Sequence, residues 1–300
     1  MAVSLKKRTQ VTYQLKKYSQ VDSKIAGTTE LFNSIEKKEI NELLGWEVTK
    51  SVGDIDFTFG GNRLLTIQDQ SVLLGILYLV GKPDQGDDKE THKNKCFVFP
   101  SDLDIKTDSL IGDAIEKRVG TRVVTFYEML SASGMSDGGG KKNQLIGSLK
   151  RLSSVTIRYK NNKTKWDGAD NFIAYDTTND SKVVLYVNWR VAGAIFEDYH
   201  FIKVDLDERN LLAKEHERKL HLYLSSYVWT GRVKDIKLDT LVDKVWIPSD
   251  SSSSGTILNR RSKIKAALNN INKFKGWSII TEGRGTSAKA KIKRVAEPQK

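Results

Sequence analysis

The chain has 300 residues, with 49 Lys and Arg against 37 Asp and Glu and a formal net charge of +12. A hydrophobic share of 39% is enough for a core and too high for a disordered chain. The single cysteine, Cys96, excludes an intrachain disulfide framework, the longest apolar stretch (Ser71 to Gly81) is too short to span a bilayer, and no apolar h-region follows Lys6-Lys7-Arg8, so a cytoplasmic protein with no membrane contact is expected.

Residues 1–30 are polar, lack a sustained apolar period and read as a flexible basic arm. Gly60-Gly61 between short β-rich runs gives a hairpin signal from Phe57 to Ile67. Val72 to Val80 is a core helix by its length, and Gly81 to Lys95 a polar loop. Cys96 to Phe99 reads as a strand stopped by Pro100. Val123 to Ala132 predicts a helix, broken at Ser133-Gly134, and Leu145, Ile146, Leu149 and Leu152 form the stripe of a second. Strands follow at Val155 to Tyr159, Phe172 to Tyr175 and Val183 to Asn188, the first two separated by a polar tip at Lys160 to Lys165. Later come helices at Leu211 to Trp229, Leu238 to Val245 and Thr256 to Phe274, a Ser-rich turn from Pro248 to Ser254, a strand at Gly276 to Thr281, a loop at Glu282 to Gly285, and a returning strand at Ala288 to Val295.

Both halves thus give helix, turn, helix, strand, basic loop, strand, which is the order of a winged helix-turn-helix. The expected fold is α+β, with two tandem winged-helix domains over residues 31–190 and 191–300 behind an arm at 1–30.

Charge is concentrated at the two ends. Residues 256–300 carry twelve Lys and Arg against Glu282 and Glu297, a balance of +10; residues 1–20 carry +5, and the remainder is −3. Such polarisation points to a polyanionic partner. On a helical wheel of 256–274, Ile257, Ile264, Leu268 and Ile271 fall on one face. Asn259, Ser262, Lys263, Ala266, Asn270 and Lys273 lie opposite, and Arg260, Arg261 and Lys265 flank the boundary. Arg pairs with guanine and Asn with adenine in the major groove, and no acid lies between Gly255 and Thr281. Arg284, Lys289 and Lys291 on the following hairpin suit phosphate or minor-groove contact. The first domain offers Asn143, Gly147, Lys150 and Arg151 opposite its stripe, Lys141 and Lys142 at the helix start, and Lys163 and Lys165 at the loop tip. There, packing or dimerisation stands level with DNA reading.

Catalytic patterns are sparse. His92 and Cys96 lack a partner pair at zinc-ligand spacing, and His200, His216 and His221 are scattered. The Gly138-Gly139-Gly140-Lys141-Lys142 run lacks the first glycine and the Ser/Thr of a phosphate loop. Asp54/Asp56, Asp102/Asp104 and Asp205/Asp207 are D-x-D triplets that could hold two metals for nucleotidyl transfer, or mark half-exposed strands. The expected cofactor, metal and catalytic sets are empty.

Several stretches resemble the IncQ-type plasmid replication initiators called RepC. Glu217 to Leu224 is similar to that family's R-x-L-H-x-x-L helix, and Leu238 to Trp246 to its D-T-L-x-x-x-V-W. Pro248-Ser249, Ser254-Gly255-Thr256, Arg260-Arg261, Leu268 and Gly276-Trp277 resemble its P-S, S-G-x-T, R-R, helix end and strand start. Tyr127 through Gly134 resembles its S-Y-x-x-L-x-x-x-x-G helix, with Phe126 at the Ser position. The resemblance implies a non-catalytic initiator with two winged helices. It implies binding to direct repeats (iterons) in double-stranded origin DNA, opening of an adjacent A·T-rich segment, and a plasmid-encoded helicase and primase as partners, with a homodimer off DNA as a further state. The alternatives are a plasmid-borne transcriptional regulator and a primase-like nucleotidyltransferase using the D-x-D carboxylates.

Overall fold

The computed structural model describes residues 17–33, 45–52, 54–98, 118–163, 167–178, 182–196, 200–246 and 253–295. In chain order the first elements are β1 (Tyr18–Asp22), α1 (Ser23–Gly27), β2 (Phe32–Asn33), β3 (Trp46–Val52), β4 (Ile55–Gly61), β5 (Leu65–Thr66), α2 (Ile67–Gly81), α3 (Lys89–Cys96) and β6 (Phe97–Val98). Next come β7 (Val119–Thr125), α4 (Phe126–Ala132), α5 (Lys141–Ser153), β8 (Thr156–Asn161), β9 (Asp167–Asn171), β10 (Ile173–Thr177), β11 (Lys182–Val187), α6 (Trp189–Ile195), β12 (Phe201–Asp205) and α7 (Leu206–Leu211). The last group is α8 (Glu215–Tyr227), β13 (Val233–Lys237), α9 (Leu238–Val245), α10 (Ser254–Ile271), β14 (Trp277–Glu282) and β15 (Lys289–Arg294). The class is α+β, as expected.

Helix α2 is the axis of the first unit. It is apolar all round from Val72 to Val80, and most of its side chains are buried, including the polar Asp69, Gln70 and Ser71 of its first turns. A capping box starts it: Asp69 N donates to Thr66 Oγ1, and the Asp69 carboxylate accepts from Thr66 N. Two glycines let neighbours close on it. A Cβ at Gly75 would meet Ser133 Oγ at 2.8 Å, and one at Gly81 would meet Ile195 Cγ2 at 2.7 Å. Against it pack β1, β5 and strands β7 and β11 of a four-stranded sheet ordered β10-β11-β7-β6; a second four-stranded sheet is ordered β3-β4-β8-β9.

Several expectations are corrected. Residues 18–30 do not form an arm: β1 pairs antiparallel with β12, Tyr18 opposite Asp205 through Asp22 opposite Phe201, and Val21, Ile25 and Ala26 are buried. Residues 1–16 lie outside the described set. Gly60-Gly61 is not a turn. It sits in β4, where Gly61 faces the Trp46 indole across the pair, and the chain reverses between Val52 and Ile55 instead. The Gly81–Lys95 stretch contains α3, whose Asp88 cap accepts from Thr91 N at 2.7 Å. The predicted helix from Val123 begins only at Phe126. The β-branched run Val123-Val124-Thr125 stays in β7, and Thr125 caps α4 in a box with Glu128. The helix predicted over Leu211–Trp229 is α8 alone, Glu215–Tyr227; Leu211 instead ends α7, and Leu212 to Lys214 separate the two. Pro100 and the turn residues 247–252 lie outside the described set.

The boundary expected near 190 also moves. α6 belongs to the first apolar cluster through Trp189, Val191 and Ile195, and that cluster runs on to Leu206. The second begins at Leu212. Helix α8 serves both: Leu222 faces the first cluster, while Leu220, Tyr223 and Leu224 face the second. The joint between them is polar. Buried Arg209 donates from its second guanidinium nitrogen to Gln70 Oε1 (2.8 Å) and Ser71 Oγ (3.2 Å) on α2. Glu208 Oε2 accepts from the Trp277 indole at 2.9 Å and lies 3.1 Å from His221 Nε2. Lys219 Nζ donates to Asn33 Oδ1 at 3.2 Å.

Candidate nucleic-acid interface

In the second unit α8, β13, α9, α10, β14 and β15 follow one another, and the strands pair in the order β13-β15-β14. This is the helix and strand order of a winged helix, with α10 second in the helix-turn-helix. Ser253 caps α10, accepting from Thr256 N at 3.2 Å. Its buried side chains are Ile264, Ala267, Leu268 and Ile271, all in the C-terminal half. No residue from Ser254 to Lys263 is buried, so that half is the more exposed one, with Thr256, Ile257, Arg260 and Arg261 half-buried. Ile257, expected in the core, is half-buried; Ala267 fills the packing face instead.

Asn259, Ser262, Lys263 and Ala266 face solvent, as do Leu258 and Asn269, which the sequence reading passed over. Lys265 is half-buried. The Arg260 guanidinium lies 5.7 Å from the Trp246 ring, itself stacked with His216. Arg261 turns back: Nε and a terminal nitrogen donate to the two Asp239 oxygens at 2.5 and 2.7 Å. This bidentate pair raises the Arg261 pKa and fixes α10 to α9. Asn270 also turns inward, while Lys273 stays exposed and bonds back to it. Asn270 Nδ2 donates to Glu217 Oε1 at 2.9 Å, and Lys273 Nζ to Asn270 Oδ1 at 2.8 Å.

Between β14 and β15 the wing tip runs through Gly283 (φ +78°) and Gly285 (φ +58°). A Cβ at Gly283 would meet the Ser287 carbonyl oxygen at 3.0 Å, so the reversal needs glycine there. Arg284 at the tip is exposed. Lys289, Lys291 and Lys293 alternate along β15 on its exposed face, with Lys289 3.9 Å from Glu282.

The first unit presents α4 and α5 similarly. The glycine run ends at Gly140 (φ +80°), which starts α5 without a side-chain cap. Asn143 and Lys150 are exposed and Gly147 is half-buried. Lys141 Nζ donates to Gln144 Oε1 at 3.1 Å, and Lys142 Nζ sits 4.2 Å from the Phe126 ring centre. Arg151 again turns inward, donating to both Asp69 oxygens at 2.9 and 2.7 Å. Lys163 is exposed at the β8–β9 tip, and Lys165 lies outside the described set. No local signal in the sequence pointed to Asp69, because its partner stands 82 residues away.

The other chemical motifs are structural in place. His92 Nε2 lies 2.8 Å from the Val80 carbonyl oxygen and Nδ1 3.7 Å from Cys96 Sγ, and burial pushes His92 down and the Cys96 thiol up. Of the D-x-D carboxylates, Asp56 accepts from Asn162 Nδ2, Asp205 caps α7 and Asp207 accepts from Lys17 N. Asp102 and Asp104 lie outside the described set. Among the described residues no three His, Cys, Asp or Glu stand together to hold a metal, and no helix is long and apolar enough to cross a membrane.

Comparison with solved structures places the architecture. Domains 2 and 3 of RctB, in two crystal structures, match over 92% and 90% of this chain and 99% and 97% of theirs. Their TM-scores are 0.54 and 0.53, at 12% and 10% identity. The Pi initiator protein, solved in complex with iteron DNA, matches over 95% of this chain and 100% of its own, with a TM-score of 0.51 and 10% identity. No curated protein sequence gives a match. The fold is therefore an α+β fold shared with Pi and with domains 2 and 3 of RctB. Within it, residues 18–294 match the family model of Replication protein C, so the chain belongs to the RepC replication-protein family.

Proposed function

We propose that this replication protein is a plasmid initiator that binds direct repeats in double-stranded origin DNA. It promotes opening of an adjacent A·T-rich segment and lets a plasmid-encoded helicase and primase load there. The observation that carries this reading is α10. Its N-terminal half stands clear of the core, without an acid, and presents Asn259, Ser262 and Lys263. A helix of that kind fits the major groove, where such residues reach base edges. Arg260 sits beside them, braced over Trp246. The wing, with Arg284 and the β15 lysines, supplies phosphate contacts, and α5 with Lys142, Asn143 and Lys150 a second, weaker reading or anchoring surface. Arg151 and Arg261 act behind this surface as positioning residues. The protein works in the cytoplasm, by binding rather than by bond chemistry, and its first unit also provides the contact for a homodimer off DNA. The match to Pi, whose structure holds iteron DNA, supports the choice of repeats.

Gel shifts on the repeats of its own replicon test this. Arg260→Ala and Asn259→Ala are each expected to cost about 1–3 kcal/mol on the cognate repeat and to relax preference at one base pair. Lys289→Ala is expected to weaken cognate and random duplex equally. An unchanged cognate-to-random ratio in Arg260→Ala and Asn259→Ala would show that α10 does not read bases. Product formation from NTPs and Mg²⁺ on a single-stranded template would instead favour the primase-like alternative.

A further inference from the structure

We propose that the cleft at the C-terminal end of α2 is a docking site for an acidic amphipathic segment of a partner protein. The cleft encloses about 810 Å³ between the last turn of α2, the 82–88 loop, α3, the end of α6 and the β1–β12 ribbon. Its floor is apolar and aromatic: Leu77 and Tyr78 from α2, and Ile195 and Phe196 from the end of α6. Its rim is cationic. Lys82 and Lys203 stand exposed on two sides, and Lys89 and Lys93, one turn apart on α3, complete it. The acids of the lining are fewer, Asp84 and Glu90, and Arg122 holds Asp84 in an ion pair.

An apolar floor inside a cationic rim selects a ligand with an apolar anchor and a negative surround. A helix with two or three large apolar side chains on one face and carboxylates beside them meets both demands. Duplex DNA offers the charge without an apolar face. A free phosphate compound has no ready seat at the start of α3, because the Asp88 carboxylate already takes the Thr91 amide and Glu90 stands in the first turn. The cleft is also preformed. Gly81 lets α6 close on α2, His92 ties α3 to the Val80 carbonyl, and Lys95 pairs with Asp87 at 2.7 Å. Little ordering cost then falls on the protein side. It lies at the far end of α2 from the Asp69–Arg151 contact with α5, about 20 Å along a helix of 15 residues. A partner seated there leaves α5 free for DNA.

The test uses the full chain saturated with duplex DNA, so that its DNA-binding surfaces are occupied. A displayed library of helical peptides is selected on it, and the enriched peptides are titrated by fluorescence anisotropy. The expected winners carry Leu, Phe or Trp at helical spacing with Asp and Glu between. They are expected to bind the Lys82→Glu/Lys203→Glu variant at least about tenfold more weakly, and peptides with Lys in place of the acids are expected to regain binding to it. Both substitutions are at exposed positions, and thermal unfolding checks that the variant is folded. No enrichment, enrichment of basic or neutral peptides, or affinity indifferent to the charge reversal would overturn the proposal. So would displacement of the peptide by ATP, which would mark a small-anion site. The gel shift on origin repeats is expected to be unchanged in this variant, so failure here and failure of the origin-binding reading are separate results.

Discussion

In the first unit Arg151 reaches back from α5 to Asp69, and in the second Arg261 reaches back from α10 to Asp239. Each is a two-pronged Arg–carboxylate pair, and each sets a helix proposed to face DNA on the helix behind it. The surroundings differ. The Asp69 side chain is 0% exposed and also accepts from Thr66 N and Oγ1, whereas Asp239 is 37% exposed. A buried carboxylate left without its cation, or a buried cation without its carboxylate, is a large penalty. Where the carboxylate is in contact with water the loss is smaller, because solvent takes over that partner; the two guanidiniums themselves are both largely covered, Arg261 at 14% and Arg151 at 22% exposed. The two units therefore use one contact in two ways: in the first its carboxylate is part of the core, and in the second it ties down the half of α10 that places no residue in the core.

Substitution can break this comparison. The largest effect is expected for Asp69→Ala, which removes the capping-box partner and leaves Arg151 unpaired against the core. Urea denaturation is expected to show a loss of about 3–5 kcal/mol, with DNA binding weakened through loss of the fold. A loss no larger than that of the Asp239 variant would refute the contrast.

A middle-sized effect is expected at the joint. Burial pushes the Lys219 ammonium down to about 8, against the partial support of Glu30. The unfolded chain keeps an ordinary lysine near 10.5, so between about pH 8 and 10.5 it holds more protons than the folded chain. Stability from this group therefore rises with pH across that window. Lys219→Met is expected to remove the rise, and the wild-type-minus-variant difference between about pH 7 and pH 10 should be about 2–3 kcal/mol. Urea midpoints at several pH values measure it; parallel curves would show that Lys219 titrates as an exposed lysine does.

The smallest stability change is expected for Asp239→Ala, below about 1 kcal/mol. Its larger consequence should be in binding. Freed from Asp239, Arg261 can swing outward, so non-specific affinity should rise while the cognate-to-random ratio falls. Gel shifts on repeat and random duplex read both quantities. An unchanged ratio would show that the Arg261–Asp239 pair does not orient α10.

Much of the second unit was legible in the sequence. Ile264, Leu268 and Ile271 recur at helical spacing, the acid-free run marks a face for a polyanion, and Glu282 to Gly285 announces the wing. Those signals are local: they depend on side chains within a turn or two of each other, and the described structure keeps them. The first unit was less legible because its elements are joined by distant partners. The strand at Tyr18–Asp22 is polar and short, and only β12, some 180 residues on, gives it a place in the core. Gly60-Gly61 looks like a turn until Trp46 is seen against it.

The same limit explains the site residues. Sequence determined which helix faces outward and that it is basic, because periodicity and composition are properties of the chain itself. It could not determine which cations on that helix are available. Arg151, Arg261 and Asn270 carry the right chemistry for DNA and sit near the right face, yet Asp69, Asp239 and Glu217 claim them. A long side chain at a helix boundary can reach water or a neighbouring element with little difference in its own geometry. What decides is the position of a carboxylate on another helix, and only the tertiary structure sets that position.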